Sequence, residues 1–307
     1  MLWKVMTRMK TEDMYVATIG FFDGVHRGHR FLLEQVCDVA HSRSMSSMAI
    51  TFDRHPRQVL SSDYQPLLLT SLEEKVSLLG SCGVDRIEVV HFTLAMSQMP
   101  ALEFMRKVLK ESLGVSVLLM GYDHRFGHGG GSFHEYREWG EEVGIDVLLA
   151  TELPGMSVSS SRIRKMIALG DIEGANHLLG HPFVVEGEVV SGHRVGREIG
   201  FPTANVSAAP GTILPHKGVY AVEAELPDGS MAGGMLCIGN RPTLQNGSDI
   251  SVEAHLFDFD GDLYGKRIRL MPVARLRDER RFGSLGELQR QLKEDECEAR
   301  RILTMPS

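Results

Sequence analysis

What most limits the folds open to this chain is a change of pattern near residue 180. Before it, short β-rich runs alternate with helix-like stretches; after it come strand-like runs separated only by turns. Met14–Ile19, Ser47–Phe52, Val84–His91 and Val115–Met120 read as strands, with Ile145–Leu149 as a fifth. Gly28–Ala40, Ser71–Leu79 and Ala101–Ser112 read as helices between them. The second opens on a serine cap with acids in its first turn, and the third follows Pro100. Val115–Met120 is almost continuously apolar, as suits a strand covered on both faces. Such alternation predicts a parallel sheet with helices on its faces, where ligands sit at the carboxyl ends of the strands. The unusual polar clusters of this half all fall just after predicted strands.

In the second half, Phe183–Val190, Gly218–Leu226, Met231–Ile238, Ile250–Phe257 and Lys266–Val273 read as strands. Turns such as Pro227-Asp228-Gly229 and Asn246-Gly247 join them, with no helix between. That pattern predicts a small antiparallel barrel or sandwich, with the amphipathic stretch Leu285–Leu303 packed on it as a final helix. The join falls near Gly180–Phe183, giving domains of residues 1–182 and 183–307, and a chain of 307 residues suits two domains.

Composition removes several functional classes. Hydrophobic residues make up 43%, too many for a chain disordered in its main state. No apolar run reaches the length of a membrane-spanning helix, so no membrane partner is expected. Acids outnumber bases 40 to 33, for a net charge of -7, which argues against a general polyanion binder and so against a nucleic-acid partner. Cys37, Cys82, Cys237 and Cys297 are far apart and form no C-x-x-C pair, which argues against a zinc ribbon or a disulfide framework and suits a reducing compartment. Residues 1–10 lack the apolar stretch of a secretory signal. The expectation is a cytoplasmic monomer or weak homo-oligomer with small-molecule substrates.

Two constellations carry chemistry. The first, Gly20-Phe21-Phe22-Asp23-Gly24-Val25-His26-Arg27-Gly28-His29, follows the first strand and opens the first helix. Its glycines allow close backbone approach, and His26 and His29 are spaced so that both rings can face one site. Free N–H groups at a helix start favour an anion. With two imidazole donors they make a cradle for a phosphate whose charge grows in the transition state. Asp23 can orient the loop or simply form its turn. Further on, Ser160 and Ser161 offer hydroxyls at a helix start, and Arg164 is a permanent cation able to grip phosphate oxygens with paired N–H groups.

The string resembles the signature of the nucleotidyltransferase superfamily, and its G-x-F-D-G-V-H-x-G-H form is similar to the FMN adenylyltransferase domain of bacterial bifunctional riboflavin kinase/FMN adenylyltransferases. Thr51-Phe52-Asp53-Arg54-His55-Pro56 resembles that domain's T-F-x-P-H-P segment, with Arg54 at the usual proline. Gly121-Tyr122-Asp123-His124-Arg125-Phe126-Gly127 resembles its G-x-D-F-R-F-G loop, and Ser159-Ser160-Ser161-Arg162-Ile163-Arg164 its I-S-S-T-x-I-R, with Ser161 at the threonine. The resemblance implies a Rossmann-like α/β nucleotidyltransferase domain with a parallel sheet. It assigns ATP to Gly20, Phe21, Asp23, Gly24, His26, His29, Ser160, Ser161 and Arg164, with the two histidines catalytic. It assigns FMN to Asp53, His55, Asp123, Arg125, Phe126 and Arg162. One departure stands out: the family's flavin loop carries an arginine shortly after its F-G, and here that position is near Gly130, with His124 and His128 the neighbouring candidates to compensate.

The second constellation is Ser191-Gly192-His193-Arg194-Val195-Gly196-Arg197-Glu198-Ile199-Gly200-Phe201-Pro202-Thr203-Ala204-Asn205. It is polar and follows a strand, which suits a phosphate-covering loop, and it lacks the G-K-[ST] ending of a P-loop. A threonine hydroxyl and an asparagine carbonyl two residues apart can hold one hard cation by oxygen. The run resembles the riboflavin kinase signature G-x-x-x-G-R-x-L-G-F-P-T-A-N. Similar matches follow at Lys217–Val222, Ile238–Thr243, Val252–Leu256, Asp258–Gly265 and Leu276–Phe282. The resemblance implies a mainly antiparallel β-barrel kinase domain with a C-terminal helix. It implies ATP phosphates at Gly192, Gly196, Gly200, Pro202, Thr203 and Asn205, and Mg²⁺ at the last two. Glu253 becomes the general base, and Arg277, Glu279 and Phe282 lie near the flavin. Substrates and products would be ATP, riboflavin, FMN and FAD.

Overall fold

The computed structural model describes residues 14–55, 58–59, 66–122, 125–192, 196, 199–240 and 250–304. Their contacts divide the chain into two compact units: residues 1–66 with 72–157, and 67–71 with 158–307.

The first unit is built on five parallel strands, β1 (Tyr15–Ile19), β2 (Ser46–Phe52), β3 (Arg86–Val90), β4 (Val115–Met120) and β5 (Asp146–Leu149), in the order β3-β2-β1-β4-β5. The order reverses at β1, which makes the gap beyond its carboxyl end the switch point where such sheets bind ligands. β1 is buried along its whole length. Val16 packs with Val36 and Ala40 of α1 (Arg27–Ser42) on one face, while Ala17 and Ile19 join Phe104, Met105 and Leu109 on the other. α1 has Leu33, Val36 and Ala40 on one stripe, the spacing that turns a single helical face to a sheet.

Two helices differ from the sequence reading. α2 (Leu72–Gly80) lies where expected. The stretch read as one regular helix over Ala101–Ser112, α3, opens as an α-helix (Ala101–Phe104) and widens to π winding over Met105–Ser112. Leu113 N–H donates to Val108 C=O, five residues back, as that winding requires. α4 (Phe133–Val143) was not anticipated, because it follows a run of three glycines that reads as loop. Its signal was present: Ser132 and Glu135 form a reciprocal capping box.

In the second unit, six strands close a barrel in the order β10-β7-β6-β11-β8-β9, every pair antiparallel. They are β6 (Val185–Val190), β7 (Ala204–Ala208), β8 (Gly218–Glu225), β9 (Met231–Asn240), β10 (Ile250–Leu256) and β11 (Arg267–Arg277). The choice between barrel and sandwich turns on β7, a five-residue strand that the sequence reading absorbed into the phosphate loop. It bonds to β6 on one side and β10 on the other, so no edge remains. α5 (Ser160–Leu169) and α6 (Ile172–Leu179), each ended by a left-handed glycine, belong to this unit. Asn176 ties α6 down: its amide donates to Pro272 C=O at 3.0 Å and accepts Phe183 N–H at 2.8 Å. The final helix α7 (Leu285–Leu303) lays Leu288, Leu292, Ala299, Ile302 and Leu303 on Val219, Ala221, Met235 and Phe257 of the barrel.

Candidate active sites

At the carboxyl end of β1 the chain turns sharply. Phe22, Gly24 and Val25 all have left-handed backbones, with φ of 53°, 79° and 37°. For Phe22 and Val25 this costs on the order of 1–3 kcal/mol each, a strain that persists only where surrounding packing over-determines the loop; both side chains are buried. The turn delivers His26 as the N-cap of α1, where its Nδ1 accepts His29 N–H at 3.3 Å. The proton of the neutral ring is therefore on Nε2, which is left as a donor. The His26 and His29 rings stack at 3.7 Å with 14° between planes, and the edge of Phe22 meets His29 at 5.2 Å. No acid occupies the first turn of α1, which keeps that end of the helix favourable to an anion.

Beside this loop is a lysine that the sequence reading missed. Lys75 of α2 is 3% exposed; its ammonium donates to Phe52 C=O at 2.8 Å and lies 3.9 Å from the centre of the Phe21 ring. Burial pushes its pKa down to about 8, against the pull of Asp23 and Asp53. Its signal was position: a lysine four residues before buried Leu79 lies on the apolar face of α2. Asp53, at the end of β2, accepts Phe92 N–H at 2.9 Å and meets the His91 ring at 2.5 Å. Burial alone would raise its carboxyl, but those partners hold it below the ordinary range. Arg54, the departure in this segment, is an exposed 3.9 Å ion-pair neighbour of Asp53. His55 meets the Phe21 ring edge-on at 4.7 Å.

The segment around Phe126 is anchored from α4. Tyr136 hydroxyl accepts Phe126 N–H at 2.9 Å and donates to Phe126 C=O at 2.5 Å, so one phenol satisfies both backbone groups of one residue. Gly127 follows at φ 79°, and a Cβ there would fall 2.4 Å from Ala101 Cα. Arg125 is exposed, and Gly130 has a φ of 59°, a backbone that an arginine would adopt only under strain. Asp123 and His124 lie outside the described residues. In the second unit, the cap of α5 is Ser159, which accepts Arg162 N–H; Ser160 and Ser161 begin the helix, and Arg164 donates to Ser161 Oγ at 3.2 Å.

The barrel carries two adjoining recesses. A cleft of about 530 Å³, of mixed polar and apolar lining, is bordered by Pro202, Thr203, Phe259, Asp260, Asp262 and Tyr264, among others. A pocket of about 300 Å³, mostly apolar, is lined by Phe201, Met235, Cys237, Glu253, Arg277 and Phe282, with Glu279 also on its wall. Thr203 borders both. Its hydroxyl donates to Glu253 Oε2 at 3.4 Å, and Glu253 is the ladder partner of Asn205. A Cβ at Gly192 would sit 2.1 Å from Asn205 Nδ2, so the glycine lets that amide keep its place. Gly196 and Gly200 flank Ile199, whereas residues 193–195, 197–198 and 241–249 lie outside the described residues. Cys237, beside Glu253 in the ladder, is pushed by burial up to about 11 and so stays a neutral thiol.

Arg277 reaches the pocket pinned from behind. Both oxygens of Asp295, on α7, accept from its Nε at 3.0 and 2.9 Å, and its Nη2 lies 2.7 Å from the same carboxylate. Asp295 is 4% exposed and also accepts from Gln291 at 2.8 Å. It too was missed, although an acid in register with Leu288, Leu292 and Ala299 on the apolar face of a helix is legible. Among the described residues no cluster of three or more His, Cys, Asp or Glu is placed to hold a metal. The hydroxyl of Thr203 and the amide of Asn205, in the cradle left open at Gly192, fit instead a hard cation that shares its shell with phosphates.

A family model described as FAD synthetase matches residues 8–163, and one described as riboflavin kinase matches residues 179–303. The chain is 39% identical to the bifunctional riboflavin kinase/FMN adenylyltransferase of Escherichia coli (strain K12), over 95% of this chain and 94% of that protein. It is 37% identical to the protein of the same description from Pseudomonas fluorescens, over 95% and 94%, and 34% to that of Bacillus subtilis (strain 168), over 94% and 92%. A crystal structure described as a macrolide-efflux protein from Streptococcus pneumoniae superposes with a TM-score of 0.86 at 29% identity, covering 95% of this chain and 96% of that one. No helix among the described residues is long and apolar enough to cross a membrane.

Proposed function

We propose, for a chain that belongs to the bifunctional riboflavin kinase/FMN adenylyltransferase family, two successive ATP-dependent transfers. The barrel phosphorylates riboflavin to FMN, and the parallel-sheet half adenylylates FMN to FAD with release of pyrophosphate. The observation that carries the reading is Thr203, which borders both a cleft of mixed lining, roomy enough for a nucleotide, and an apolar pocket suited to an isoalloxazine, 3.4 Å from the carboxylate of Glu253.

In the first transfer Glu253 takes the proton of the ribityl hydroxyl as its oxygen attacks the γ-phosphorus, and ADP leaves. Thr203 and Asn205 would hold Mg²⁺, which when bound neutralises and orients the phosphates. Gly192, Gly196, Gly200 and Pro202 shape the backbone over those phosphates. Arg277, Glu279 and Phe282 take the flavin side. In the second transfer an oxygen of the FMN phosphate attacks the α-phosphorus in line, with no covalent enzyme intermediate. His26, through its Nε2–H, and His29 donate to the transferring phosphoryl group. Gly20, Phe21, Asp23 and Gly24 form the turn beneath it; the family resemblance alone gives Ser160, Ser161 and Arg164 to the leaving pyrophosphate. Asp53, His55, Asp123, Arg125, Phe126 and Arg162 serve FMN. The same reading makes the protein cytoplasmic, in keeping with four free cysteines, and a monomer or weak homo-oligomer.

The test is to incubate the full chain with riboflavin and MgATP and resolve every product. One ADP and one pyrophosphate per FAD formed is the expected yield. Flavin binding with release of neither would leave a flavin carrier, and ADP without pyrophosphate a kinase alone.

A further inference from the structure

The ladder between β7 and β10 pairs Asn205 with Glu253 and Ala204 with Ala254, and there it stops. Carried one step further, the register would set Thr203 against His255 and Pro202 against Leu256. Pro202 has no N–H to extend the pairing, and its carbonyl is left to find a donor elsewhere. The donor is the side chain of His255, whose Nδ1 lies 2.8 Å from Pro202 O. A carbonyl only accepts, so Nδ1 carries the hydrogen. The ring is wedged edge-on between Phe201, at 5.2 Å and 62°, and Phe257, at 5.9 Å and 70°. His255 is also two residues from Glu253 on the same strand, so both side chains rise from one face, and both line the apolar pocket.

We propose that His255 is a positioning residue for phosphoryl transfer: its ring takes over from the interrupted ladder and sets the Pro202–Thr203 segment against Glu253. The proposal rests on the reading of Thr203 and Glu253 as parts of the kinase site. Without the bond, the Pro202 carbonyl must turn outward to water, carrying the Thr203 hydroxyl off the nucleotide phosphates.

The experiment compares His255→Asn with His255→Leu in the full chain. Asparagine places an N–H the same number of bonds from Cβ as Nδ1 does; leucine fills similar space and donates nothing. Riboflavin phosphorylation is measured alongside binding of MgADP by calorimetry, and conversion of added FMN to FAD reports on the other half. His255→Leu is expected to lower kcat for phosphorylation about 10- to 100-fold and weaken MgADP about tenfold. His255→Asn should recover most of both, and FAD formation should be unchanged in each. Leucine matching the parent, or asparagine failing as leucine does, overturns the positioning role while the kinase reading stands. A parent that neither binds MgADP nor phosphorylates riboflavin overturns both.

Discussion

Tyr136→Phe removes one oxygen from the interior of the parallel-sheet half and changes little else. The residue is 1% exposed, and its ring keeps the space it fills between Phe126, at 4.7 Å, and Trp139, at 5.2 Å. What disappears is the hydrogen bond that Phe126 N–H donates to the phenol and the one that Phe126 C=O accepts from it. Losing a buried hydrogen-bond partner costs about 1–3 kcal/mol, and the two losses together, sharing some relaxation, about 2–4 kcal/mol. Urea unfolding reads this directly, because Trp139 packs on the mutated ring at 86° and is one of only two tryptophans. In a Trp3→Phe background its fluorescence reports on this region alone. With an m-value of about 2 kcal/mol/M, the midpoint should fall by about 1–2 M. The loop bearing Arg125 loses its anchor in the same stroke, so KM for FMN should rise about tenfold while riboflavin phosphorylation is unaffected. A midpoint within about 0.3 M of the parent would mean that the phenol holds nothing in place, and the account of the flavin loop would be wrong.

Further outcomes follow from single contacts. Lys75 titrates near 8 in the folded chain and at its ordinary, higher value when unfolded. Between those two values the unfolded chain binds more protons, so this group makes folding more favourable as pH rises through that window and costs about 3 kcal/mol below it. Lys75→Met should therefore show a flatter dependence of unfolding free energy on pH from 7.5 to 10 than the parent; parallel curves would contradict the buried ammonium. Asp295→Ala leaves Arg277 without its buried partner, which should cost about 3 kcal/mol in urea unfolding and raise KM for riboflavin with FMN adenylylation intact. Gly127→Ala forces a Cβ against the backbone of Ala101 at a left-handed φ, and conversion of FMN to FAD should fall at least tenfold without loss of phosphorylation.

Both architectures were legible because each rests on a period: β1 to β5 are short apolar runs divided by helical stripes, and the barrel strands alternate between tight turns. The two candidate strings stood out because the first follows β1 directly and the second opens just beyond β6. What escaped was decided by tertiary context. β7 is Ala-Asn-Val-Ser-Ala, weak in strand propensity, and is a strand because β6 and β10 leave a gap of one strand to be closed. Widening of α3 over Met105–Ser112 carries no residue signature, while Met105 and Leu109 stay buried throughout. Lys75 and Asp295 act from behind the residues that carry the motifs, and His255, inside the matched run Val252–Leu256, acts through a bond to Pro202 that no motif spells out. Two of them were nonetheless marked as charges on apolar helix faces, a pattern that sequence alone exposes when buried stripes are checked for polar members.

The proposed transfers require two chemically independent sites, one in each half. Glu253→Gln and His29→Ala, assayed side by side with chromatographic separation of riboflavin, FMN and FAD, test this most directly. Glu253→Gln should make no FMN from riboflavin yet convert supplied FMN to FAD at the parental rate; His29→Ala should accumulate FMN at the parental rate and stop there. A folded variant of either kind that loses both conversions would contradict the claim.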